Sequence, residues 1–333
     1  MNKLADTKIS VLDLAPVAAG KSIADSFKNS LELARHAEKL GYTRFWMAEH
    51  HNLEGIASAA TSVLLGYIAG GTSTIRVGSG GIMLPNHAPL IIAEQFGTLE
   101  TLYPGRIDLG LGRAPGSDGL TMRALRREMT GREADMSDLV QELMYYLAPP
   151  QPGQKVRAVP GAGLNIPIWL LGSSLYSAQL AAVMGLPYAF AGHFAPEMMQ
   201  QAIDIYRVGF KPSEHLRESK VMVGVQVLAA ETDQRAEQLA TSLYQRFLGI
   251  IRNQRVNLQP PVDNMDAIWN PMEKEIVLSK LSKSIIGGPE KVKAGMQKLV
   301  EETGADELMI VSDAYDHQER LKSFEIIANV KNR

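Results

Sequence analysis

Three side chains that can carry or transfer protons stand together at Glu49-His50-His51, directly after the apolar run Phe45-Trp46-Met47-Ala48. Histidine is the side chain whose pKa best suits proton transfer near neutral pH. A single histidine more often packs in a core, but three such residues at the end of one predicted strand favour chemistry. If the strand continued, Glu49 and His51 would share one face and His50 the other, so the adjacent histidines are poor co-ligands for one metal.

A pair of glycines follows another apolar run, within Ser79-Gly80-Gly81-Ile82-Met83-Leu84-Pro85-Asn86-His87. Because glycine has no Cβ, Gly80 and Gly81 allow a flat ligand to approach the backbone, or allow an unusual backbone geometry. A glycine bulge in a tight turn would give the same pattern. Taken alone, the pair leaves both interpretations open.

Two further segments carry groups that could hold a phosphate. Arg113 follows the run Ile107-Asp108-Leu109-Gly110-Leu111-Gly112, and a guanidinium pairs with phosphate in a fork geometry. Gly172-Ser173-Ser174 stands where an apolar run passes into a helical pattern, and the free N–H groups of a helix start can bind an anion. The alternatives are an ion pair on the rim for Arg113 and helix capping for the serines. If neighbouring strands precede them, one phosphate could bridge Arg113 and Ser173.

The elements that must position these groups alternate along the chain. Short apolar runs predict eight strands, and amphipathic segments between them predict helices. This alternation predicts an α/β fold, a (β/α)8 TIM barrel, in which function gathers at the carboxyl ends of the strands. The predicted strands are Ile9–Leu14, Arg44–Ala48, Ile75–Gly80, Ile107–Leu111, Ile168–Leu171, Tyr188–Ala191, Val221–Ala229 and Glu307–Val311. The predicted helices cover about 25–40, 59–70, 88–102, 135–147, 174–185, 196–210, 233–251, 289–303 and 317–330.

Two stretches rich in proline or glycine interrupt the alternation, at about 148–167 and 253–284. Because the strand and helix pattern resumes after each stretch, we predict loop insertions in one barrel domain that spans residues 1–333. Long insertions in barrel enzymes often close over the site, so the second stretch is a candidate lid.

Composition excludes several classes of protein. The chain has no cysteine, which removes disulfides, thiolate nucleophiles and cysteine-ligated metals. Its 34 basic and 36 acidic residues form no basic cluster, so we expect no nucleic-acid partner. The sequence has neither a long apolar stretch nor a signal-like N-terminus, so we expect no membrane partner and a cytoplasmic location.

Several segments, taken in order, share their residues and spacing with one known family. They are Ala48-Glu49-His50-His51, Val77-Gly78-Ser79-Gly80-Gly81-Ile82-Met83-Leu84-Pro85, Pro104-Gly105-Arg106-Ile107-Asp108, Trp169-Leu170-Leu171-Gly172-Ser173-Ser174 and Ile286-Gly287-Gly288-Pro289. Together they resemble the bacterial luciferase-like flavin monooxygenases, and the resemblance spans nearly the whole chain. It is closest to the single-subunit, non-luminescent branch similar to alkanal monooxygenases.

That resemblance implies roles for individual residues. His50 matches the family's catalytic histidine, and we hypothesise that Glu49 orients it or a neighbour. Gly80-Gly81 match a cis peptide beneath the flavin ring. The other implied contacts of the cofactor lie around its phosphate: Arg113, Gly172, Ser173 and Tyr176. The predicted substrate pocket includes side chains near strand ends: Asp13, Met47, Met83 and His193.

The resemblance also implies an activity. An enzyme of this kind takes up FMN that a separate flavin reductase has reduced, and uses O2 to oxygenate a small, mostly apolar substrate such as an aldehyde. The FMN would be dissociable, and the implied assembly is a homodimer. We hypothesise that His50 handles the proton that this reaction requires, in a site from which water is kept away.

Three other functions stay open from the sequence alone. A metal-dependent hydrolase could use Glu49, His51, His193 and Asp313, although the first strand carries no His-x-His pair, and we expect no metal. A deazaflavin-dependent hydride-transfer enzyme would use the same barrel and glycine pair. A flavin-binding protein without catalysis would keep the pocket and lose the chemistry.

Overall fold

The computed structural model describes residues 3–114, 119–125, 135–254 and 256–332, and its named strands form one parallel sheet. These strands are β1 (Lys8–Asp13), β2 (Arg44–Met47), β3 (Arg76–Ser79), β4 (Ile82–Met83), β5 (Ile107–Gly112), β6 (Ile168–Gly172), β7 (Tyr188–Phe190), β8 (Val221–Ala229), β9 (Ile285–Gly287) and β10 (Glu307–Val311). Because β10 pairs with both β8 and β1, eight strands close into a barrel. The two short strands β4 and β9 pair alongside β5 and β8, respectively. The predicted TIM barrel is confirmed, and each predicted strand is a barrel strand.

The strands are apolar on both faces because each face is covered. Alternate side chains such as Trp46, Trp169 and Met309 pack inside the barrel. Their sequence neighbours, such as Phe45 and Leu308, pack outwards against the helices. A strand buried on both faces needs a continuous apolar run, which is the pattern that the sequence shows.

Helices cover the outside of the barrel. They are α1 (Ile23–Lys39), α2 (Thr61–Gly70), α3 (Pro89–Leu102), α4 (Gly119–Leu125), α5 (Met136–Leu147), α6 (Leu175–Met184), α7 (Met199–Gly209), α8 (Asp233–Ile251), α9 (Pro271–Lys280), α10 (Pro289–Thr303) and α11 (His317–Asn332). Short 3-10 turns occur at Leu4–Asp6, Leu84–Asn86, Pro196–Met198 and Met265–Ala267. The sequence predicted these α-helices except α4 and α9. Within the described part of the chain, no helix combines the length and the apolar character that crossing a membrane requires.

The stretch 253–284 connects distant parts of the barrel. Its helix α9 and the side chains of Met265 and Trp269 pack against α8 in a second apolar core. Its backbone also reaches the loop after β1, because the Leu258 N–H donates to the Val17 carbonyl at 2.9 Å and the Leu258 carbonyl accepts from Ala19 at 2.8 Å. The insertion therefore contacts both α8, the helix after β8, and the loop that follows β1. The stretch 148–167, by contrast, contains neither a helix nor a strand.

A buried ionic network joins the amino ends of the strands. Arg44 contacts Glu307 through Nε and Asp108 through Nη1, each at 2.7 Å, and Arg76 also reaches Asp108, at 2.6 Å. Ser10 donates a further hydrogen bond to Glu307. Burial alone would lower the pKa of Arg44, but the two carboxylates raise it above its usual value. The network therefore ties β1, β2, β3, β5 and β10 together at the end of the barrel opposite to the predicted site.

Candidate active site

Glu49 is the centre of a hydrogen-bonded cluster at the carboxyl end of the barrel. Strand β2 ends at Met47, so Glu49 lies in the turn beyond it, and it is only 1% exposed. Its carboxylate accepts from Nε2 of His51 at 2.8 Å and from Nε2 of His87 at 2.9 Å. The Met83 N–H donates to its second oxygen at 3.0 Å. Glu49 thus fixes two imidazoles and the strand β4 that follows the glycine pair.

Two opposing effects act on the proton affinity of Glu49. Burial raises the pKa, but the hydrogen bonds from His87 and His51 and from the Met83 amide lower it by more. The net result is a pKa below the ordinary value of 4.5. At neutral pH the group is therefore an ionised anchor and is not available as a proton donor.

His50 lies beside this cluster and is half-buried. His193 follows β7, and burial lowers its pKa, with a small further lowering from interaction with His50. Because His50 follows β2 and His193 follows β7, both lie at the carboxyl end of the barrel. His50 thus lies at the carboxyl end of the barrel strands, here called the mouth of the barrel, where the sequence predicted chemistry.

The glycine pair is tightly enclosed by neighbouring strands. The peptide bond between Gly80 and Gly81 is cis, as the family resemblance implies. A Cβ on Gly80 would lie 2.6 Å from the Leu12 side chain, and one on Gly81 would lie 2.7 Å from the Gly110 carbonyl oxygen. The second contact is with backbone, which cannot move aside cheaply. The neighbouring strands therefore exclude larger side chains at these two positions, whether or not a ligand binds there.

The predicted phosphate contacts come together on one side of the mouth. Strands β5 and β6 are neighbours in the barrel, so Arg113 and Ser173 follow adjacent strands, as expected. The Arg113 guanidinium lies 4.5 Å from the centre of the Tyr176 ring. The Tyr176 hydroxyl donates to Asp135 Oδ1 at 2.5 Å. This arrangement presents an exposed positive charge next to the first turn of α6.

The start of α6 is suited to an anion. Helix capping was the alternative explanation for the serines, but the N-cap residue Ser174 makes no side-chain bond to the first N–H groups of the helix. Gly172 leaves no room for a side chain, because a Cβ there would lie 2.1 Å from Ser177 Oγ. The N–H groups of α6 and the Arg113 charge are the kinds of donor that a phosphate dianion needs.

A second polar cluster lies at the ends of β7, β8 and β10. Arg246 of α8 approaches Asp313, with Nη1 and Oδ2 2.7 Å apart. Gln226 of β8 donates to the same carboxylate oxygen at 3.2 Å. Burial lowers the pKa of the adjacent His193 to about 4, with Arg246 and His50 adding to the effect and Asp313 opposing it. His193 is therefore neutral at physiological pH.

Two residues of the predicted substrate pocket lie elsewhere. Asp13 is fully buried and forms an ion pair with Arg320 of α11 at 2.8 Å. Met47 is also fully buried, in the layer between the barrel and its helices. Both side chains point outwards, since the interior positions on these strands belong to Leu12 and Trp46. Asp13 and Met47 therefore lie away from the mouth of the barrel, whereas Met83 and His193 lie at it; a pocket role for these residues stays a prediction.

The sequence does not reveal the roles of two residues in this region. His87 ends the segment that contains the glycine pair, but its contact with Glu49 depends on a 3-10 turn that folds it back. Arg246 gives no signal in the sequence because it lies inside a long amphipathic helix, where an arginine usually faces solvent. The metal-hydrolase alternative also loses support, since no group of three or more His or carboxylate side chains in the described ranges is arranged to hold a metal ion.

Comparison with known proteins identifies the family. The sequence profile of the luciferase-like monooxygenases matches residues 7–307. The chain belongs to this family. A luciferase-like monooxygenase from Escherichia coli is 55% identical over 322 residues, which covers 97% of this chain and 96% of that protein. The N-acetyl-S-alkylcysteine monooxygenase of Bacillus subtilis is 31% identical over 331 residues, covering 98% and 93%.

Solved structures show the same fold. The crystal structure of apo-MsnO8 has a TM-score of 0.86 and 34% identity, and the match covers 97% of this chain and 98% of that one. The FMN complex of the oxygenating constituent of 3,6-diketocamphane monooxygenase from Pseudomonas putida, at 20% identity and a TM-score of 0.72 over 97% and 96%, shares the fold. Membership of this family supports an oxidoreductase activity for the chain.

Proposed function

We propose that the protein is a monooxygenase that uses reduced, dissociable FMN and O2 to oxygenate a small organic substrate. The observation that carries the proposal is the set of anion donors formed by Arg113 and the uncapped start of α6. Arg113 follows β5, which pairs with the strand β3 that leads into the glycine pair, and α6 follows β6 on the other side of β5. This set offers a phosphate anchor and a flat surface at neighbouring positions. Relatives with monooxygenase names support the reaction class.

The chain's own residues would hold FMN at both of its ends. The phosphate would bind Arg113, Ser173 and the N–H groups at the start of α6, with Gly172 allowing close approach and Tyr176 holding the guanidinium. The ring would lie against Gly80 and Gly81. Reduced FMN supplies the electrons with which O2 is activated.

Proton handling and water exclusion are assigned to separate groups. His50 holds or moves a proton at a ring nitrogen, because it is a half-buried imidazole at the same end of the barrel as the glycine pair and His193. Glu49 orients its neighbours His51 and His87 and stays ionised. The insertion 253–284, held to the loop after β1 through Leu258, serves as the cover that excludes water.

The proposed assembly is a homodimer. Large apolar side chains are exposed on two helices that contact each other, α2 and α3. Val63 and Tyr67 on α2 are 70% and 45% exposed, and Ile91 on α3 is 50% exposed. Because α2 is apolar around most of its circumference, it resembles a helix that is covered on all sides. Docking α2 and α3 against the same helices of a second copy would bury these side chains.

The function is tested by anaerobic titration with reduced FMN, followed by admission of air and by turnover assays with a separate flavin reductase. We expect reduced FMN to bind, and the bound flavin to be reoxidised more slowly than free FMN. Failure to bind FMN would overturn the proposal. Binding of coenzyme F420 with hydride transfer and no reaction with O2 would instead identify the deazaflavin alternative, since an F420-dependent secondary alcohol dehydrogenase shares this fold.

A further inference from the structure

We propose that Arg246, with Asp313, Gln226 and His193, forms a subsite that binds a carboxylate group of the substrate. This inference rests on the proposed function and narrows its substrate class from mostly apolar compounds to small organic acids. The subsite lies at the ends of β7, β8 and β10, whereas Arg113 follows β5, so it is separate from the proposed phosphate anchor.

The Arg246 guanidinium is held in place by an ion pair, but its N–H donors do not all form hydrogen bonds to residues that the structure describes. Its side chain is only 16% exposed, and that of Asp313 is 2% exposed. Nη1 is 2.7 Å from Asp313 Oδ2, yet this buried atom has no hydrogen bond of adequate geometry within the described residues. Gln226 donates to that same Oδ2. Asp313 therefore supplies charge and position to Arg246 and leaves donor capacity for a ligand.

His193 supplies a second polar atom without a partner. Nδ1 is buried and makes no hydrogen bond within the described part of the chain. It faces the barrel interior, because a Cβ on Gly224 of β8 would lie 2.7 Å from it. The neutral ring carries one donor and one acceptor, so it can complete a hydrogen-bonded site without adding a charge. Two buried polar atoms without partners among the described residues, Arg246 Nη1 and His193 Nδ1, are unfavourable unless a ligand or water completes their hydrogen bonds.

The charge balance disfavours a dianion as the ligand of this subsite. Arg246 and Asp313 have no net charge together, so the subsite does not offer the excess positive charge that a phosphate dianion requires. A carboxylate can still accept from a guanidinium and an imidazole, and two parallel hydrogen bonds would fix its orientation. The rest of such a substrate would meet apolar interior residues of β10, Met309 and Val311, which lie level with Gly224 and Gln226 of β8.

A purely structural ion pair is the competing explanation. Such a pair would be expected to satisfy its own donors, because a buried pair stabilises a fold only when its geometry is good and its hydrogen bonds are complete. The geometry here does not meet that condition at Nη1. A ligand-binding role explains both the approach of Arg246 to Asp313 and the incomplete bonding.

Calorimetry with two matched probes tests the subsite. Hexanoate and hexanamide have the same chain and differ mainly in charge, and both would be titrated into the full-length protein with and without bound FMN. We expect wild-type protein to prefer hexanoate by about tenfold or more, as a charge-assisted hydrogen bond allows. Arg246→Gln should abolish the preference and leave hexanamide binding unchanged, and Arg246→Lys should retain part of it.

The matched control is Arg235→Gln, which removes a guanidinium from the same helix at an ion pair with Glu319 outside the subsite. It should keep the full preference. Equal binding of the two probes by wild-type protein, or a preference that survives in Arg246→Gln, would overturn the subsite. FMN binding is measured on the same samples by flavin fluorescence. Loss of FMN binding would refute the proposed function alone, since the probe preference is also read without FMN.

Discussion

Neighbouring residues in the turn after β2 differ in what surrounds them. Glu49 is saturated with donors from His51, His87 and the Met83 amide, and these donors keep it ionised. His50 is half-buried at the mouth of the barrel and interacts electrostatically with His193. A group that is fixed and charged is suited to positioning, whereas a half-buried imidazole is suited to exchanging a proton.

Replacement of His50 by Ala tests this division. We expect His50→Ala to bind FMN nearly as well as wild type, because the proposed phosphate and ring contacts are unchanged. Substrate-dependent turnover should fall by roughly 10²- to 10⁴-fold, the range of general acid–base catalysis. The control is His215→Ala, which removes an exposed histidine far along the sequence. Turnover equal to wild type would remove His50 from the mechanism.

Replacement of Glu49 by Gln tests the anchor through stability. The folded-state pKa of Glu49 is lowered, so its charge stabilises the fold above the unfolded-state pKa of about 4.3, and this contribution disappears as pH falls through the lower folded-state pKa. We expect Glu49→Gln to lose about 1–3 kcal/mol of unfolding free energy at pH 7. Denaturant titrations from pH 7 to about 3.5 should show this difference shrinking. A difference that is constant over this range would contradict the ionised anchor.

Replacement of Arg113 by Gln tests the phosphate anchor. Loss of one charge-assisted contact of about 1.5–3 kcal/mol should weaken FMN binding roughly 10- to 100-fold. Riboflavin has the same ring and no phosphate, so its affinity should be unchanged. Flavin fluorescence titrations measure both. An equal loss for the two flavins would place Arg113 near the ring and not at the phosphate.

At the residue scale, the sequence reveals site residues that are contiguous in the chain. It does not reveal which face of a strand a side chain occupies, or which residues distant in sequence come together. Glu49-His50-His51 and Gly80-Gly81 are visible because each motif is continuous. The sequence does not show that Asp13 and Met47 point outwards, because a shift of one residue in a strand moves a side chain to the other face. Arg246 was invisible because its site depends on Asp313, which is distant in the sequence.

At the scale of elements, regular repetition made the barrel predictable, and local exceptions were missed. Strands buried on both faces and capped helices such as α1, with its Ser22 and Asp25 capping box, have clear sequence signals. Strand β9 has three residues and β4 has two, which is too short for a period to appear. Helix α9 has its own capping box at Asn270 and Glu273, but the prolines around it favoured a loop.

The contact between β3 and β5 positions the glycine pair and provides a test at this scale. A Cβ on Gly110 would lie 2.1 Å from the Ser79 carbonyl oxygen, which is backbone. We therefore expect Gly110→Ala to destabilise the protein by about 1–3 kcal/mol in denaturant titrations. In the control Gly119→Ala, a Cβ would meet nothing within 4 Å, so stability should be unchanged. Equal stability of the two variants would show that this strand contact adapts more easily than its spacing indicates.

At the scale of the whole molecule, the exposed apolar surface of α2 and α3 predicts self-association. Tyr67→Glu places a charge in the proposed interface, so we expect it to shift the protein from dimer to monomer in analytical ultracentrifugation. Val208→Glu is the control, because Val208 is 90% exposed on α7 and lies outside the proposed interface. A monomeric wild-type protein, or a dimer that persists in Tyr67→Glu, would contradict this assembly.

The ionic network of Arg44, Glu307 and Asp108 also bears on how this protein can acquire new substrates. It secures the amino ends of the strands, while the side chains of the mouth, including Arg246 and His193, belong to the opposite end. Substitutions that diversify the mouth therefore leave the securing contacts intact, and effects at well-separated sites are close to additive. Mutant libraries confined to the mouth should accordingly retain a high fraction of folded members, which makes this barrel a suitable starting point for laboratory evolution.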